Sequence, residues 1–241
     1  MKTLYLAKEP DAGVRDDLSK ISGEFIVVDC LGVYGDWYRK KGYKCLSVSE
    51  FFSLVDMKFS MVIGNPPYGN RASLAIRFLN KSLELSDTVD MVLPLSFKKA
   101  SIQNSVDKYA ECVLDEELPA NTFPNGIRAV RQTWVKSDKP RELHRLPTTH
   151  KDFDFVKYED RFTADCMIGA VGSGPSGKVF TENFTHYQCR HNFIKVSSPE
   201  VLQRLVDLGP ELRELSKQQN GRGGVCKSDI VLLYEKTYEQ E

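Results

Sequence analysis

The chain has 241 residues, of which 41% are hydrophobic and 27% are charged. This composition is too apolar for a disordered chain, and its 16 glycines and 11 prolines are too few for a fibrous one. The 33 basic and 33 acidic residues balance, so that any surface for a polyanion must be local.

The spacing of the cysteines and the length of the apolar runs indicate in which cellular compartment the protein is expected. The six cysteines are scattered without a Cys-x-x-Cys pair, which does not favour a disulfide framework. No apolar run approaches the length of about 18 residues that a membrane span needs. Lys8 and Glu9 interrupt the first apolar stretch, so that no signal peptide is expected. The sequence therefore predicts a soluble, reduced, cytoplasmic protein without a membrane partner.

Short apolar runs alternate with amphipathic segments over the first part of the chain. Strands are expected over Thr3–Ala7, Phe25–Asp29, Tyr43–Val48, Phe59–Ile63, Val89–Pro94, around Val113 and over Ala129–Val135. Helices are expected over Val14–Ile21, Tyr34–Lys41, Arg71–Leu85 and Phe97–Lys108. Continuous apolar strands that alternate with helices predict an α/β fold with a doubly wound, mostly parallel, Rossmann-like sheet.

Polar residues and two prolines replace the regular pattern over Ser137–Lys151, which predicts a boundary between domains. We place a first domain at residues 1–138 and a small α+β region at residues 139–241. In the second region, strands are expected at Cys166–Val171 and Phe193–Val196. A helix is expected to begin after the capping residue Ser198 and to end near Leu208, because Gly209-Pro210 follows.

The most informative residues follow the predicted strand Phe59–Ile63. Gly64 ends that strand, and the tetrapeptide NPPY, Asn65–Tyr68, comes directly after it. Open α/β sheets bind ligands at the carboxyl ends of their strands, and two consecutive prolines fix the loop there. An ordinary proline turn is one alternative. A polyproline ligand for a WW-type partner is another, although its usual spacing is Pro-Pro-x-Tyr.

This tetrapeptide resembles the catalytic motif of S-adenosylmethionine-dependent methyltransferases that act on amino groups, in particular N6-adenine DNA methyltransferases. The resemblance implies a catalytic site formed by Asn65, Pro66, Pro67 and Tyr68. Asn65 Oδ1 and the Pro66 carbonyl would accept hydrogens from the adenine amine, and Tyr68 would stack on a flipped-out base. RNA methyltransferases and protein-glutamine methyltransferases also carry NPPY, so that these substrates remain open.

The resemblance extends from about Leu4 to Val135 and implies a site for S-adenosylmethionine. The segment Glu9–Gly13 (EPDAG) is similar to the family's E-P-x-A-G-x-G, but Arg15 replaces the second glycine. Asp29 is expected to bind the cofactor ribose, and Glu50 and Phe51 are expected to hold its adenine. The implied cofactor-binding residues are Glu9, Pro10, Gly13, Asp29, Glu50 and Phe51.

Basic residues concentrate between Asn125 and Lys151 and again over Lys217–Lys227. A solvated face is one interpretation of this pattern. A groove that follows phosphates at the junction of the two domains is the other. The residues expected to bind DNA, with RNA as the alternative partner, are Arg128, Arg131, Lys136 and Lys178.

Two further patterns carry less information. The segment Gly172–Val179 (GSGPSGKV) is close to a Walker A loop, but its last residue is not the Ser or Thr that would bind magnesium. His186, Cys189 and His191 lack a fourth ligand at a spacing typical of zinc, so that no metal is predicted.

Taken together, the sequence favours methylation of adenine N6 in DNA by an enzyme of a modification system or a phage. Two alternatives remain. One is an enzyme that methylates RNA adenine or a protein glutamine amide. The other is a nucleic-acid-binding module that has lost cofactor binding because of Arg15.

Overall fold

The computed structural model describes residues 2–8, 23–123, 126–172, 174–187, 190–217 and 224–239. The chain divides into two compact units, Met1–His144 and Arg145–Glu241. The expected helix Val14–Ile21 lies outside the described residues. Within the described ranges, no helix is both long and apolar enough to cross a bilayer.

The first unit alternates strands and helices, as expected from its hydrophobic pattern. Its strands are β1 (Lys2–Ala7), β2 (Glu24–Asp29), β3 (Cys45–Ser47), β4 (Met61–Gly64), β5 (Thr88–Pro94), β6 (Ala110–Glu117) and β7 (Ala129–Lys136). Its helices are α1 (Gly35–Lys40), α2 (Val48–Ser53), α3 (Ser73–Leu85) and α4 (Ala100–Gln103), with 3-10 turns at Asn70–Ala72 and Leu95–Lys98. These bounds are given for the described part of the chain.

The described strands of the first unit form one sheet in the order β3-β2-β1-β4-β5-β7-β6. Neighbouring strands are parallel from β3 to β5, whereas β7 is antiparallel to both β5 and β6. The chain builds outward from β1 to β3 and then returns to the other side of β1 with β4. In such sheets the crevice at the carboxyl ends of these two central strands is the usual ligand site.

Both faces of the sheet are covered, which explains why the central strands are apolar at consecutive positions. Leu4 and Leu6 of β1 pack with Phe51 of α2 and with α3, and Tyr5 packs with Tyr38 of α1 on the other face. The predicted doubly wound, mostly parallel, Rossmann-like sheet is therefore confirmed.

Helix α3 shows the predicted amphipathic face but begins later than expected. Its buried side chains include Ala75, Leu79 and Leu83. The expected first residues, Arg71 and Ala72, instead have φ angles of 51° and 62°. Because this left-handed conformation cannot continue a right-handed helix, regular α-helix starts only at Ser73.

The helix expected over Phe97–Lys108 is wrong for most of its length. A 3-10 turn over Leu95–Lys98 is followed by the extended residue Lys99 (φ −81°, ψ 133°) and then by the short helix α4. The side chain of Gln103 donates a hydrogen bond to the Phe97 carbonyl at 2.9 Å, which holds the turn in this irregular path.

The two units divide within the segment Ser137–Lys151, between His144 and Arg145, and the part of this segment before the division is bound to the first unit. The Arg141 guanidinium donates to three backbone carbonyls and lies over an aromatic ring. These partners are the carbonyls of Gln103 (2.6 Å), Ala110 (3.0 Å) and Val106 (3.1 Å), and the ring of Trp134 (5.7 Å). The His144 N–H donates to Asn104 Oδ1 at 2.9 Å. The first unit consequently extends beyond the boundary predicted after residue 138.

The second unit has an α+β structure, in agreement with the prediction. Strands β8 (Phe153–Val156), β9 (Cys166–Ile168), β10 (Val179–Phe180) and β11 (Asn192–Val196) form an antiparallel sheet in the order β10-β9-β11-β8. Its helices in the described ranges are α5 (Pro199–Asp207), α6 (Gly209–Lys217) and α7 (Lys227–Tyr238). Strands β8 and β10 and helices α6 and α7 were not predicted.

The start of α5 follows local sequence rules. Ser198 Oγ accepts a hydrogen bond from the Val201 N–H at 3.4 Å, and Pro199 occupies the first turn. The dipeptide Gly209-Pro210 ends α5 as expected, but it also begins α6. Proline is compatible with the first turn of a helix, so that one dipeptide serves both purposes.

Replacing Arg141 tests whether its segment belongs to the first unit. Arg141→Ala removes donors from three carbonyls, and we expect the free energy of unfolding to fall by about 2–3 kcal/mol, as for hydrogen bonds to a charged group. Lys139→Ala, at an exposed position of the same segment, should change it by less than about 0.5 kcal/mol. Urea denaturation monitored by tryptophan fluorescence measures both values. Equal midpoints for the two variants would contradict the assignment.

Candidate active site

The NPPY loop lies at the carboxyl ends of β1 and β4. Leu6 and Gly64 are paired in the parallel register, and the Asn65 N–H donates to the Leu6 carbonyl at 3.1 Å. Gly64 has a φ of 142°, and an added Cβ would lie 2.2 Å from the Leu6 carbonyl oxygen. A side chain is therefore excluded here, and the absence of one lets the loop start beside β1.

Asn65 presents an acceptor without a donor. Its Oδ1 is buried, and it accepts no hydrogen bond from any residue that the structure describes. Leaving such a group unsatisfied costs about 1–3 kcal/mol. Pro66 is buried and Pro67 is half-buried. Their rings restrict the φ angles of the two residues that follow Asn65, which fixes the backbone there. The amide oxygen is thus placed in advance for a donor that the described residues do not supply.

Tyr68 is tied to the core at several points. Its ring packs against the main hydrophobic cluster of the first unit, and its carbonyl accepts from the Ala75 N–H of α3 at 3.3 Å. Burial raises the pKa of its hydroxyl to about 12. That hydroxyl has no hydrogen-bond partner in the described part of the chain. Nζ of Lys8, directly after β1, lies 4.6 Å from the centroid of the ring.

Asp29 ends β2 as predicted, but its carboxylate holds the following loop. Oδ1 accepts from the N–H groups of Leu31 (3.2 Å) and Gly32 (3.0 Å), and Oδ2 accepts from the Tyr34 N–H (2.7 Å). The residue is only 2% exposed. Asp29 therefore orders the backbone of the loop after β2, and its binding of a ribose stays a prediction.

Glu50 and Phe51 begin α2, at the carboxyl end of β3. Oε2 of Glu50 accepts from the Ser47 N–H at 2.7 Å, and Ser47 Oγ accepts from the Glu50 N–H at 3.2 Å. These bonds form a capping box, and the one from the Ser47 backbone lowers the pKa of Glu50. The Glu50 side chain is exposed at the edge of the sheet, where it can accept a further hydrogen bond.

Phe51 is enclosed by the core. It is 0% exposed, and its ring stacks on Phe78 with centroids 5.3 Å apart and an interplanar angle of 11°. Because neither ring face is open, the expected packing of Phe51 on a cofactor adenine does not fit this conformation. The buried Phe51 ring anchors the start of α2, and with it the preceding residue, Glu50, at the edge of the sheet.

Three of the residues expected to bind the cofactor belong to the sequence that follows β1. Glu9, Pro10 and Gly13, together with Arg15, lie outside the described residues. The described residues nevertheless place four polar or charged side chains at the carboxyl edge in the order of the strands. From β3 to β4 these are Glu50, Asp29, Lys8 and Asn65.

The basic residues expected to bind DNA on β7 are spread along the strand and partly neutralised. Arg131 donates to both carboxylate oxygens of Asp90, at 2.7–3.2 Å, and Arg128 donates to Glu117. Arg128 lies at the same edge as the NPPY loop, because its carbonyl accepts from the residue after β5. Lys136 lies at the other end of β7, and therefore at the opposite edge of the sheet. One continuous phosphate groove through the three residues does not fit this arrangement.

The Walker-like segment in the second unit is a hydrogen-bonded turn. The N–H groups of Ser176, Gly177 and Lys178 donate to carbonyls within the segment or to Gly169, at 2.7–3.1 Å. An added Cβ at Gly177 would lie 2.5 Å from the Leu212 carbonyl oxygen, so that the turn is packed on α6. These amides cannot cradle a phosphate, whereas the Lys178 side chain is exposed.

Among the residues that the structure describes, His150, Glu235 and Glu239 form a group with ligand-type atoms within 4.8 Å of one another. His150 Nδ1 accepts from the Asp152 N–H at 3.1 Å, which leaves the proton on Nε2, 3.5 Å from Glu239. Arg145 and Lys151 pair with the two glutamates, at 2.6 and 2.9 Å. The group is therefore an ion-pair network that binds α7 to the start of the second unit.

Sequence reasoning missed two residues of the candidate site. The sequence pattern predicts Gly64 only as the end of a strand, whereas its φ and its contact with Leu6 determine where the loop begins. The same pattern presents Lys8 only as a charge that interrupts an apolar run. Its position directly after the first predicted strand was the available signal, since the carboxyl ends of parallel strands meet at one edge.

No family model matches the sequence, and no curated protein matches it. Several solved structures are similar to parts of the chain. A protein described as an RNA methyltransferase from Pyrococcus horikoshii has 18% identity and a TM-score of 0.42, with 58% of this chain and 75% of that chain covered. The 23S rRNA methyltransferase ErmE has 15% identity and a TM-score of 0.41, with 58% and 63% covered.

A third similar structure is a protein from Listeria monocytogenes described as a class I S-adenosylmethionine-dependent methyltransferase. It has 14% identity and a TM-score of 0.44, with 58% of this chain and 56% of that chain covered. Since each of these TM-scores is below 0.5, the function proposed below depends on the residues of this chain.

The close approach of β1 and β4 can be tested with two glycine substitutions. Gly32 also has a positive φ, 74°, but an added Cβ there meets nothing within 4 Å. Gly32→Ala should cost only backbone strain, on the order of 1 kcal/mol. Gly64→Ala adds a collision with the Leu6 backbone, and we expect it to lower the free energy of unfolding by at least about 2 kcal/mol more. Urea denaturation gives both values, and a smaller loss for Gly64→Ala would show that the strands can separate freely.

The buried hydroxyl of Tyr68 predicts an unusual effect of its removal. Tyr68→Phe should raise the free energy of unfolding at neutral pH by about 1 kcal/mol, because it removes a desolvated group that no described residue pairs. The pKa of Tyr68 is raised from 10.0 to about 12, so that between these values the unfolded chain releases a proton that the folded protein retains. The wild type should therefore lose stability relative to Tyr68→Phe as the pH rises through this range. Urea denaturation below and above pH 10 measures the free energy of unfolding of both proteins. A difference between them that stays constant with pH would refute the raised pKa of Tyr68.

Proposed function

We propose that this chain transfers a methyl group from S-adenosylmethionine to the exocyclic N6 amine of adenine in DNA. The observation that carries the proposal is the buried Oδ1 of Asn65, which lies where the sheet changes direction between β1 and β4 and which has no hydrogen-bond partner among the described residues. An amide oxygen held in this way is suited to an N–H donor. The exocyclic amine of adenine supplies two such hydrogens.

The chemistry explains why an acceptor is needed and a strong base is not. The lone pair of the adenine amine is delocalised into the ring, which makes the nitrogen a weak nucleophile. Acceptors aimed at its hydrogens, Asn65 Oδ1 and the Pro66 carbonyl, favour a pyramidal nitrogen whose lone pair can form the new N–C bond. These oxygens also stabilise the positive charge that develops on nitrogen. The extra proton becomes acidic after the transfer and leaves to solvent.

S-adenosylmethionine supplies a methyl group on a sulfonium, whose C–S bond breaks as the N–C bond forms. The described residues fit such a cofactor at the carboxyl edge. Glu50 is exposed there with a lowered pKa and can accept from a hydroxyl or an amine. Asp29 holds the loop Leu31–Tyr34 in place beside it. We propose the Glu9–Gly13 segment, between β1 and β2, for the methionine part of the cofactor.

The substrate base must leave the helix stack before its amine can reach Asn65. Unstacking costs a few kcal/mol, and stacking on an aromatic ring returns about 1–3 kcal/mol. Tyr68 follows the two prolines and is the ring that the loop offers. We propose that the second unit, Arg145–Glu241, contributes the remaining contacts as the recognition region, with the exposed Lys178 as one phosphate contact. Arg128, at the same sheet edge as the loop, is proposed as another.

Transfer of a tritiated methyl group identifies the substrate. The full chain is incubated with labelled S-adenosylmethionine and with DNA, RNA and protein pools, and labelled products are hydrolysed to nucleosides or amino acids. We expect N6-methyl-2′-deoxyadenosine from DNA. Label in RNA adenine or in a glutamine amide would show that DNA is not the substrate, whereas methyl transfer to nitrogen would still hold. No incorporation in any pool would refute methyl transfer.

Asn65→Ala separates catalysis from binding. The variant removes the acceptor required in the transition state but keeps the prolines and Tyr68, so that kcat should fall about 10²-fold or more while cofactor affinity changes little. Asn65→Asp retains an acceptor oxygen and should lose less. Asn70→Ala, at an exposed asparagine just after the loop, serves as the control and should keep the wild-type rate. A wild-type rate for Asn65→Ala would show that the catalytic centre lies elsewhere.

A further inference from the structure

Lys8 lies at the same edge as the NPPY loop, and its side chain faces Tyr68. It follows the last residue of β1, and its Nζ lies 4.6 Å from the centroid of the Tyr68 ring. This distance is typical of a cation–π contact, in which the ammonium is attracted to the negative face of the ring. One face of Tyr68 is therefore covered by a cation from the residue directly after β1.

The charge of Lys8 also acts on the neighbouring strand end. Cys30 follows β2, and the pKa of its thiol is raised by burial and by the Asp29 carboxylate, whereas Lys8 acts in the opposite direction. Lys8 thus lies among the carboxyl ends of β1, β2 and β4. Its ammonium is a positive charge beside the aromatic ring of the loop.

The orientation of the Tyr68 ring is not fixed by its own hydroxyl. Within the described ranges that hydroxyl makes no hydrogen bond, although it is buried. Among the described residues, core packing and the ammonium of Lys8 constrain the ring. Removal of the ammonium would leave one face without its charged neighbour.

We propose that Lys8 is a positioning residue for Tyr68. Its ammonium holds the ring from one side and thereby sets the orientation in which Tyr68 meets the planar group of the substrate. The part of the proposal that concerns the substrate rests on the proposed function. The control of ring orientation by Lys8 does not depend on it.

The kinetic consequence should appear mainly in KM. A stacked base makes the same contact with Tyr68 in the ground state and in the transition state, and loss of such uniform binding raises KM with little change in kcat. Lys8→Met keeps the length of the side chain and removes the charge. We expect it to raise the KM for the nucleic acid about tenfold, the size of a partly desolvated cation–π contact. Lys8→Arg restores a cation and should return KM close to the wild-type value.

The first experiment tests the contact in the protein without ligands. In nuclear magnetic resonance spectra, protons above the centre of an aromatic ring are shifted upfield. The ε-methylene protons of Lys8 should show this shift in the wild type and lose it in Tyr68→Leu. The ring resonances of Tyr68 should move in Lys8→Met and return in Lys8→Arg. A Lys8 methylene at its ordinary position, or unchanged Tyr68 resonances in Lys8→Met, would overturn the proposal.

The second experiment tests the consequence for the substrate. KM and kcat are measured for Lys8→Met, for Tyr68→Leu and for the double variant. Lys41→Met is the matched control, because Lys41 lies 5.9 Å from the ring of Trp37 and so loses a comparable contact away from the NPPY loop. Because Lys8 acts through the ring, adding Lys8→Met to Tyr68→Leu should change KM by less than about twofold.

The outcomes separate this proposal from the proposed function. A tenfold effect of Lys8→Met that persists without the Tyr68 ring would show that Lys8 binds the substrate directly, which overturns the positioning role. An unchanged KM in Lys8→Met overturns it as well. If the wild type transfers no methyl group, the proposed function fails. The magnetic resonance experiment then decides by itself whether Lys8 controls the ring.

Discussion

The parallel pairing of β1 with β4 is the constraint on which the candidate site depends. It places Leu6 beside Gly64, and the Asn65 N–H continues the ladder with a 3.1 Å bond to the Leu6 carbonyl. The positive φ of Gly64 and its missing side chain allow this approach. As a result, Lys8 and the NPPY loop, which are far apart in the sequence, reach the same edge of the sheet.

Stability and the proposed function oppose each other at this edge. The buried Oδ1 of Asn65 and the buried hydroxyl of Tyr68 each lack a partner among the described residues, and each costs about 1–3 kcal/mol. The packing of α3 on the sheet offsets this cost, since it encloses Phe78, Leu79 and Leu83. Unsatisfied buried groups are uncommon in folded proteins, and this loop contains two of them among the described residues.

The acidic residues at the carboxyl edge order the backbone before any ligand binds. Asp29 gathers three N–H groups of its loop, and Glu50 completes the capping box of α2. A loop ordered in advance loses less conformational entropy on binding. On β7, by contrast, the Arg131–Asp90 pair shows how a basic residue that looks available for phosphates is used within the fold.

The sequence by itself determined the alternation of strands and helices, the two covered faces of the sheet and the place of NPPY at a strand end. Hydrophobic periodicity and the restricted backbone of proline act over a few residues, so that these features can be read locally. Local reading failed at Lys99, whose extended backbone interrupts the expected helix. Only the tertiary structure decided which side chains meet, as in Lys8 with Tyr68 and Arg131 with Asp90. Such partners are set by strand order and register, and a hydrophobic pattern encodes which face is buried but not which strand lies alongside.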